Sequence, residues 1–354
     1  METRGKEQLP DLRAMTFEET AALIGSMGEK PYRASQLFGW LHARMAASFD
    51  EMTDLSADLR GRLAEQTRLV TLEAVEVKCS AKDETKKFLF ALPDGNIIES
   101  VLMKYKYGWS VCISSQVGCR MGCRFCASTL QGKTRDLSAS EMLEQIYRIS
   151  VLEGIRISHV VVMGAGEPLD NYDNLLRFIR LLCDPKGAGL SGRAITVSTC
   201  GLVPQIYDLA KEDLQITLAL SLHAPTQEKR VRLMPIARKY PLPEVIKACR
   251  AYEQATGRRI TFEYSLVRGE NDTDEDAARL ARLLRGIRCH VNLIPVNPVK
   301  EREYRAPDRR AVLAFQNKLE KSGINVTIRR EMGTDIGGAC GQLRKSYLEE
   351  KEKE

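Results

Sequence analysis

The sequence predicts an α/β protein: a partial (β/α)6 barrel, preceded by a small N-terminal helical domain and a short β linker. Three observations predict it. Apolar strand candidates alternate with helical stretches from residue 109 onward, a run of helical periodicity fills roughly the first 68 residues, and a strand-like stretch lies between them. A chain of 354 residues can bury a full hydrophobic core. At 44% hydrophobic and 28% charged residues it has the composition of an ordinary globular protein.

In chain order, residues 16–28 read as a short amphipathic helix that stops at Gly28. Pro31 opens a second helix over 31–46, since proline suits a first helical turn. Leu55, Leu59 and Leu63 mark a third, ending near Gln66. Residues 69–103 alternate as strands, with Pro93-Asp94-Gly95-Asn96 as the turn between two of them. The strand candidates that follow are 109–115, 159–163, 194–199, 215–222, 260–267 and 290–296. Ser138-x-x-Glu141 fits a capping box for the helix between the first two. Pattern alone admits either a partial barrel or a doubly wound sheet, and both put reactive groups at the C-terminal ends of the strands. The expected divisions are 1–68 helical, 69–104 β-rich, 105–345 barrel and 346–354 a charged tail.

No run of eighteen apolar residues is present, and the first residues carry no apolar signal segment, so a cytoplasmic protein with reduced cysteines is expected. Ten cysteines then point to metal binding or chemistry, while four histidines argue against a histidine-rich site. The net charge of +6 is compatible with a nucleic-acid partner and does not establish one.

The strongest local signal is Cys119-Arg-Met-Gly-Cys123-Arg-Phe-Cys126, directly after the first barrel strand. Three thiolates on one glycine-containing loop can wrap a single centre. A structural zinc ion wants a fourth ligand, for which only Cys112 lies near. An iron–sulfur cube held by three thiolates instead leaves one iron open. The turn Gly164-Ala165-Gly166-Glu167-Pro168 follows a buried strand. It lacks the third glycine of a dinucleotide fingerprint, so it is either a tight βα turn or a place where Glu167 meets a ligand ammonium. Ser198, Ser221, Leu222, His223 and Asn297 sit at strand C-termini, each more ordinary alone than as part of a polar rim. Cys340 lies in a glycine-rich loop near Arg329, Arg330 and Arg344, which would favour its thiolate.

The spacing C-x3-C-x2-C resembles the radical S-adenosylmethionine (SAM) signature. Together with GEKPYRASQLFGWL, VMGAGEP, ITVSTCGLVP, SLHAPTQEKR, LIPVNP and TDIGGACGQL, it makes the chain similar to the RlmN/Cfr family over residues 28 to about 344. That family methylates adenine in RNA. The resemblance implies a [4Fe–4S] cluster on Cys119, Cys123 and Cys126. It also implies SAM contacts from Gly166, Glu167, Ser198, Ser221, Leu222, His223 and Asn297. Adenine C2 is electron-poor and cannot attack a SAM methyl group directly. In the family a cysteine, here matched by Cys340, is methylated first and then bonds to the RNA. Cys112 matches the cysteine that resolves this adduct through a transient disulfide with Cys340, and Glu99 matches the proton acceptor. The same likeness implies 23S rRNA, met before ribosome assembly is complete, and some tRNAs as substrates. It further implies a flavodoxin- or ferredoxin-type electron donor, a monomer and no membrane. Alternatives are methylation at adenine C8, as in the Cfr branch, or a non-enzymatic iron–sulfur or zinc RNA-binding protein. Cys200 stands where the family commonly has serine, and Gly337-Gly338 replace a more alanine-like pair. Lys104, Lys106, Arg120, Arg124, Lys133, Arg135, Lys229, Arg230 and Arg232 are candidate phosphate contacts, or simply solvated charges.

Overall fold

A computed structural model describes residues 9–297, 303–337 and 347. The N-terminal helices form where the sequence places them, as α1 (Phe17–Ser26), α2 (Tyr32–His42) and α3 (Ala57–Gln66). Thr16 and Glu19 close a capping box on α1, and Ser56 caps α3 by accepting from the Leu59 N–H. These helices bury their own core of Leu12, Ile24, Leu37, Leu41, Leu59 and Leu63. The second helix ends at His42 rather than running to Ala46. The chain turns there, with Met45 at φ 58°, so that the carbonyls of Leu41 and Ala46 accept from the buried Arg13 guanidinium at 2.7 and 2.5 Å.

Among the described residues ten strands share one sheet. β1 (Glu73–Cys79), β2 (Lys86–Ala91) and β3 (Ile97–Tyr105) form an antiparallel meander. β3 also pairs antiparallel with β4 (Gly108–Ile113), so the β-rich stretch continues directly into the barrel sheet. From β4 the sheet is parallel through β7 (Ile157–Val162), β8 (Ile195–Thr199), β9 (Thr217–Ser221), β10 (Ile260–Leu266) and β11 (Cys289–Pro295). These six are the sequence-predicted strands. A seventh, β12 (Asn325–Ile328), adds to the far edge. The hairpin β5 (Gln116–Gly118) and β6 (Lys133–Asp136) stands apart and holds the cysteine loop between its strands.

The crossovers are helical: α4 (Ala139–Glu153), α5 (Tyr172–Cys183), α6 (Val203–Leu209), α7 (Gln227–Leu233), α8 (Leu242–Thr256), α9 (Asp274–Leu284) and α10 (Arg309–Lys321). Ser138 and Glu141 complete the expected capping box on α4. One core of parallel-strand and helix side chains runs through the barrel, with Val160, Val197, Leu218, Phe262 and Leu293 among its fully buried members. Among the described residues no helix is long and apolar enough to cross a membrane.

The helical module is joined to the sheet through α4. Glu144 forms ion pairs with Arg13 at 3.1 Å and Arg148 at 3.2 Å and accepts the Leu72 N–H at 3.1 Å, while His42 Nδ1 lies 3.0 Å from the Tyr147 hydroxyl. Both Arg13 and Glu144 are wholly buried, so each charge depends on the other to offset its lost hydration.

Candidate active site

Two cavities lie at the C-terminal side of the parallel strands. The smaller, about 180 Å³, is lined by Cys119, Cys123 and Cys126 together with Gly166, Glu167, Ser198, Cys200 and Ser221. The larger, about 560 Å³, is lined by Lys87, Val101, Tyr105, Cys112, Asn297 and the segment from Arg329 to Gly337.

The cysteine loop is held by backbone. Cys119 donates its N–H to the Gly132 carbonyl at 2.9 Å, Arg124 N–H reaches Leu233 at the end of α7, and the Thr129 hydroxyl donates to the Cys123 and Cys126 carbonyls. Below it, Asp170 accepts from Gln116 and Lys133 at 3.0 Å each and pairs with Arg120. Burial alone would raise the Asp170 carboxyl, but Arg120, Lys133 and Gln116 hold it below its ordinary value. Burial pushes the Cys119 thiol up to about 12 and that of Cys123 well above the ordinary value. These thiols are therefore poor free nucleophiles and require a cation to ionise them. Among the described residues no three such side chains converge tightly enough to share one metal ion. The lining holds four thiols and no imidazole, but the Cys200 side chain is hydrogen-bonded to the Glu167 carboxylate. The three loop thiols that remain suit a cube with one open iron better than a four-coordinate zinc ion.

The glycine-rich turn is close-packed. A Cβ on Gly164 would stand 2.7 Å from the Ile113 carbonyl oxygen, and one on Gly166, at φ 114°, 2.6 Å from Ser115 Oγ. The glycines thus let the turn lie against the cluster strand and aim Glu167 into the small cavity. Glu167 is buried. Its carboxylate accepts the Cys200 N–H at 2.7 Å and the Leu169 N–H at 3.1 Å, while burial raises its pKa. Such a carboxylate is poised for a ligand ammonium. Ser198 and Ser221 hydroxyls lie 3.3 Å apart across β8 and β9. Leu222 and His223 follow on the same strand end. His223 is set at φ 54°, with Nδ1 accepting the Ser265 N–H at 2.9 Å and its ring 4.8 Å from that of Phe125 in the cysteine loop. Burial, and next Arg230, depress the His223 pKa to about 3, so this ring is neutral. Asn297 lines the larger cavity instead.

Cys112 also lies away from the other three thiols. It sits on β4 opposite Val101 of β3 and lines the larger cavity. Glu99, two residues before Val101, is 5% exposed and pairs with Lys87 of β2 at 3.2 Å; Lys87 is 2% exposed and also donates to the Gly337 carbonyl. Lys87 had no motif to announce it. Its only signal was a cation inside an apolar strand. Ser114 ties β3 to the glycine-rich turn, donating to the Glu99 carbonyl at 2.8 Å and accepting the Ala165 N–H at 3.1 Å. Cys340 and Arg344 fall outside the described residues.

The row of candidate phosphate contacts is largely absorbed by the fold. Arg230 is wholly buried and donates to the Cys200 carbonyl at 2.6 Å, a correction to its reading as a surface charge. Lys229 pairs with Asp276, Arg135 with Asp94 and Glu141, and Lys133 with Asp136. Each carries a carboxylate partner, so fewer of these cations face an RNA than the sequence suggested.

Comparison with known proteins agrees with this layout. Residues 113–281 match the radical SAM superfamily, and residues 10–69 match the ribosomal RNA large subunit methyltransferase N-terminal domain. The chain is 59% identical to a probable dual-specificity RNA methyltransferase RlmN of Lachnospira eligens, over 97% of this chain and 98% of that protein. It is 56% identical to a protein of the same description from Lachnoclostridium phytofermentans, over 96% and 95%. A solved radical SAM methyltransferase from Sphaerobacter thermophilus superposes with a TM-score of 0.90 at 44% identity, covering 94% of this chain and 98% of the other.

Proposed function

The chain belongs to the RlmN family of radical SAM RNA methyltransferases, and from that membership we propose that it methylates C2 of an adenine in 23S rRNA and of the adenine 3′ to the anticodon in some tRNAs. The observation that carries the proposal is a cavity lined by Cys112, by Lys87 with Glu99 paired behind it, and by Gly337, which is three residues before Cys340 in sequence.

When bound, the [4Fe–4S] cluster and SAM supply a methyl group and a carbon-centred radical. Cys119, Cys123 and Cys126 would hold the cluster, and Glu167, with Ser198 and Ser221 across the cavity, would bind and orient SAM. Asn297, on the far side, faces the RNA-side cavity. Cys340 carries the transferred carbon as a thioether and bonds it to adenine. Glu99 accepts the proton lost from C2, and the odd electron left on the ring passes to a one-electron acceptor of the flavodoxin or ferredoxin class. The Cys112 sulfur then attacks the Cys340 sulfur: the new S–S bond replaces the S–CH2 bond, the electron pair stays with carbon, and a proton completes the methyl group. The resulting disulfide needs a two-electron reductant of the dithiol class before the next turnover, while a flavodoxin- or ferredoxin-class donor suits the one-electron chemistry of the cofactors. The helical module of residues 1–68 adds RNA-binding surface, and the chain works as a cytoplasmic monomer.

The test is anaerobic reconstitution with iron and sulfide, then incubation with methyl-labelled SAM, reductant and a 23S rRNA fragment. Label at adenine C2 that vanishes in both Cys119→Ala and Cys340→Ala is expected. Label at C8 alone would overturn the regiochemistry, and no label in RNA would overturn the activity.

A further inference from the structure

Glu99, Val101, Met103 and Tyr105 alternate along β3, so they share one face of the strand. Val101, Met103 and Tyr105 all line the larger cavity, with Cys112 opposite Val101. The face therefore leads from the reactive end of the cavity outward to Tyr105, four residues and about 13 Å beyond Val101 at the usual strand rise. At that end the wall becomes aromatic and cationic. The Tyr105 and Tyr107 rings stack at 5.0 Å with planes 5° apart, and His159 packs edge-on to Tyr107 at 4.6 Å. Tyr107 is 60% exposed, a poor position for a large ring unless something covers it. Lys104, Lys106 and Arg330 line a shallow depression around the pair, and Tyr105 and Arg330 belong to both this depression and the reactive cavity. Lys104 is partly engaged, paired with Glu84 at 2.6 Å and lying over the Trp109 ring.

Flat rings beside cations are how proteins hold unstacked bases: the ring takes the base and the cation its phosphate. We propose that the Tyr105–Tyr107 pair is a stacking platform for the RNA nucleotide next to the target adenine, with Lys106 and Arg330 binding its phosphate. The inference deepens the RNA-methyltransferase reading and rests on it. It explains how the target base stays withdrawn from its stack, since a neighbour that finds a new stacking partner loses less on leaving the old one. His159, behind Tyr107, fixes the platform and has no contact with RNA.

The test uses a hairpin RNA with the target adenine in its loop and 2-aminopurine, whose fluorescence is quenched by stacking, at the adjacent position. Wild type is expected to bind it with a change in fluorescence that depends on the tyrosines. Tyr107→Ala and Tyr105→Ala should abolish that signal and weaken binding by about five- to a hundredfold, and Tyr107→Phe should retain it. The RNA KM should rise far more than kcat falls, which a merely destabilised turn would not produce. Thermal unfolding of each variant reports whether it folds. If wild type methylates the RNA while both alanine variants bind within twofold of it, the platform is overturned and the methyltransferase reading stands. If wild type neither binds nor methylates, both fall together. Loss of binding to an added protein, with RNA binding intact, would assign the surface to a protein partner and overturn the proposal.

Discussion

The two cavities are built in opposite ways. The walls of the small one come mainly from the cysteine loop and the ends of β7, β8 and β9, with Val162–Gly164, Gly166–Pro168 and Ser198–Cys200 as short contiguous runs. The walls of the large one come from the antiparallel extension, from β4, from the end of β11 and from residues 329–337. Lys87 and Gly337, which touch across it, are 250 residues apart in sequence, and Ser80 and Asp335, hydrogen-bonded at 2.7 Å beside it, 255 apart. The proposed cofactor pocket is thus specified locally, whereas the proposed substrate cavity is assembled where residues 333–337 meet the turn between β1 and β2 and Lys87 of β2. Damage in the first should remove the chemistry, and damage in the second should leave cofactor binding intact.

The largest expected effect is in the cofactor half. Cys119→Ala removes one of three thiols and should abolish iron retention and RNA methylation together, read as iron per chain and as label in RNA. Retention of full iron and activity would mean that Cys119 is not a ligand, and would move the cluster elsewhere.

Lys87→Met is the corresponding test of the substrate half. It removes the Lys87 ammonium from its 3.2 Å pairing with the buried Glu99 carboxylate and from the Gly337 carbonyl. Removing one partner of a buried ion pair is costly, so RNA methylation should fall by about a hundredfold, an order-of-magnitude expectation from such pairs. Iron content and SAM affinity should not change. If Lys87 acts through Glu99, the double variant Lys87→Met, Glu99→Gln should be no slower than Glu99→Gln alone. Additive losses would show that the two residues work independently.

Glu167→Gln probes the small cavity more gently. The amide keeps the shape of the side chain and can still accept from either the Cys200 or the Leu169 N–H, but it turns an NH2 to the other and cannot offer a charge to an ammonium. Hydrogen bonds to a charged group contribute about 1.5–3 kcal/mol, so SAM should bind about ten- to a hundredfold more weakly by calorimetry, with RNA affinity unaltered. Unchanged SAM affinity would reduce Glu167 to a cap on the turn that follows it.

The same contrast explains what could be read in advance. The cysteine loop, the glycine-rich turn and the six parallel strands are local patterns, and the structure has them where the sequence put them. Strand register and long-range docking leave no local trace. So Cys112, seven residues before Cys119, is compatible in sequence with the cluster, yet β4 carries it to the other cavity. Asn297 was grouped with the cofactor residues by its strand end, but lines the larger cavity. The basic residues were misleading for a related reason: charge is visible in a sequence, while its carboxylate partner, such as Asp276 for Lys229, is chosen by packing.

The smallest predicted effect concerns neither cavity and so serves as their control. His42, at the joint between the helical module and α4, has its pKa depressed to about 3, first by burial and then by Arg13. The unfolded chain would protonate this residue near pH 6.5. Between these values the unfolded state binds a proton that the folded state does not, so His42 makes stability fall as the pH drops through that window. The loss is about 1.4 kcal/mol for each pH unit. His223, depressed to the same value in the cofactor half, adds a second such proton. His42→Phe should therefore halve the part of the acid slope due to these two histidines in urea unfolding between pH 6.5 and 5. It should also cost a roughly constant 1 kcal/mol at every pH, because the buried Tyr147 hydroxyl loses its partner. At neutral pH, iron content, SAM affinity and RNA affinity should match wild type. An unaltered acid slope would mean that His42 is already protonated in the fold, and a selective loss in one cavity would mean that the joint is coupled to that half of the site.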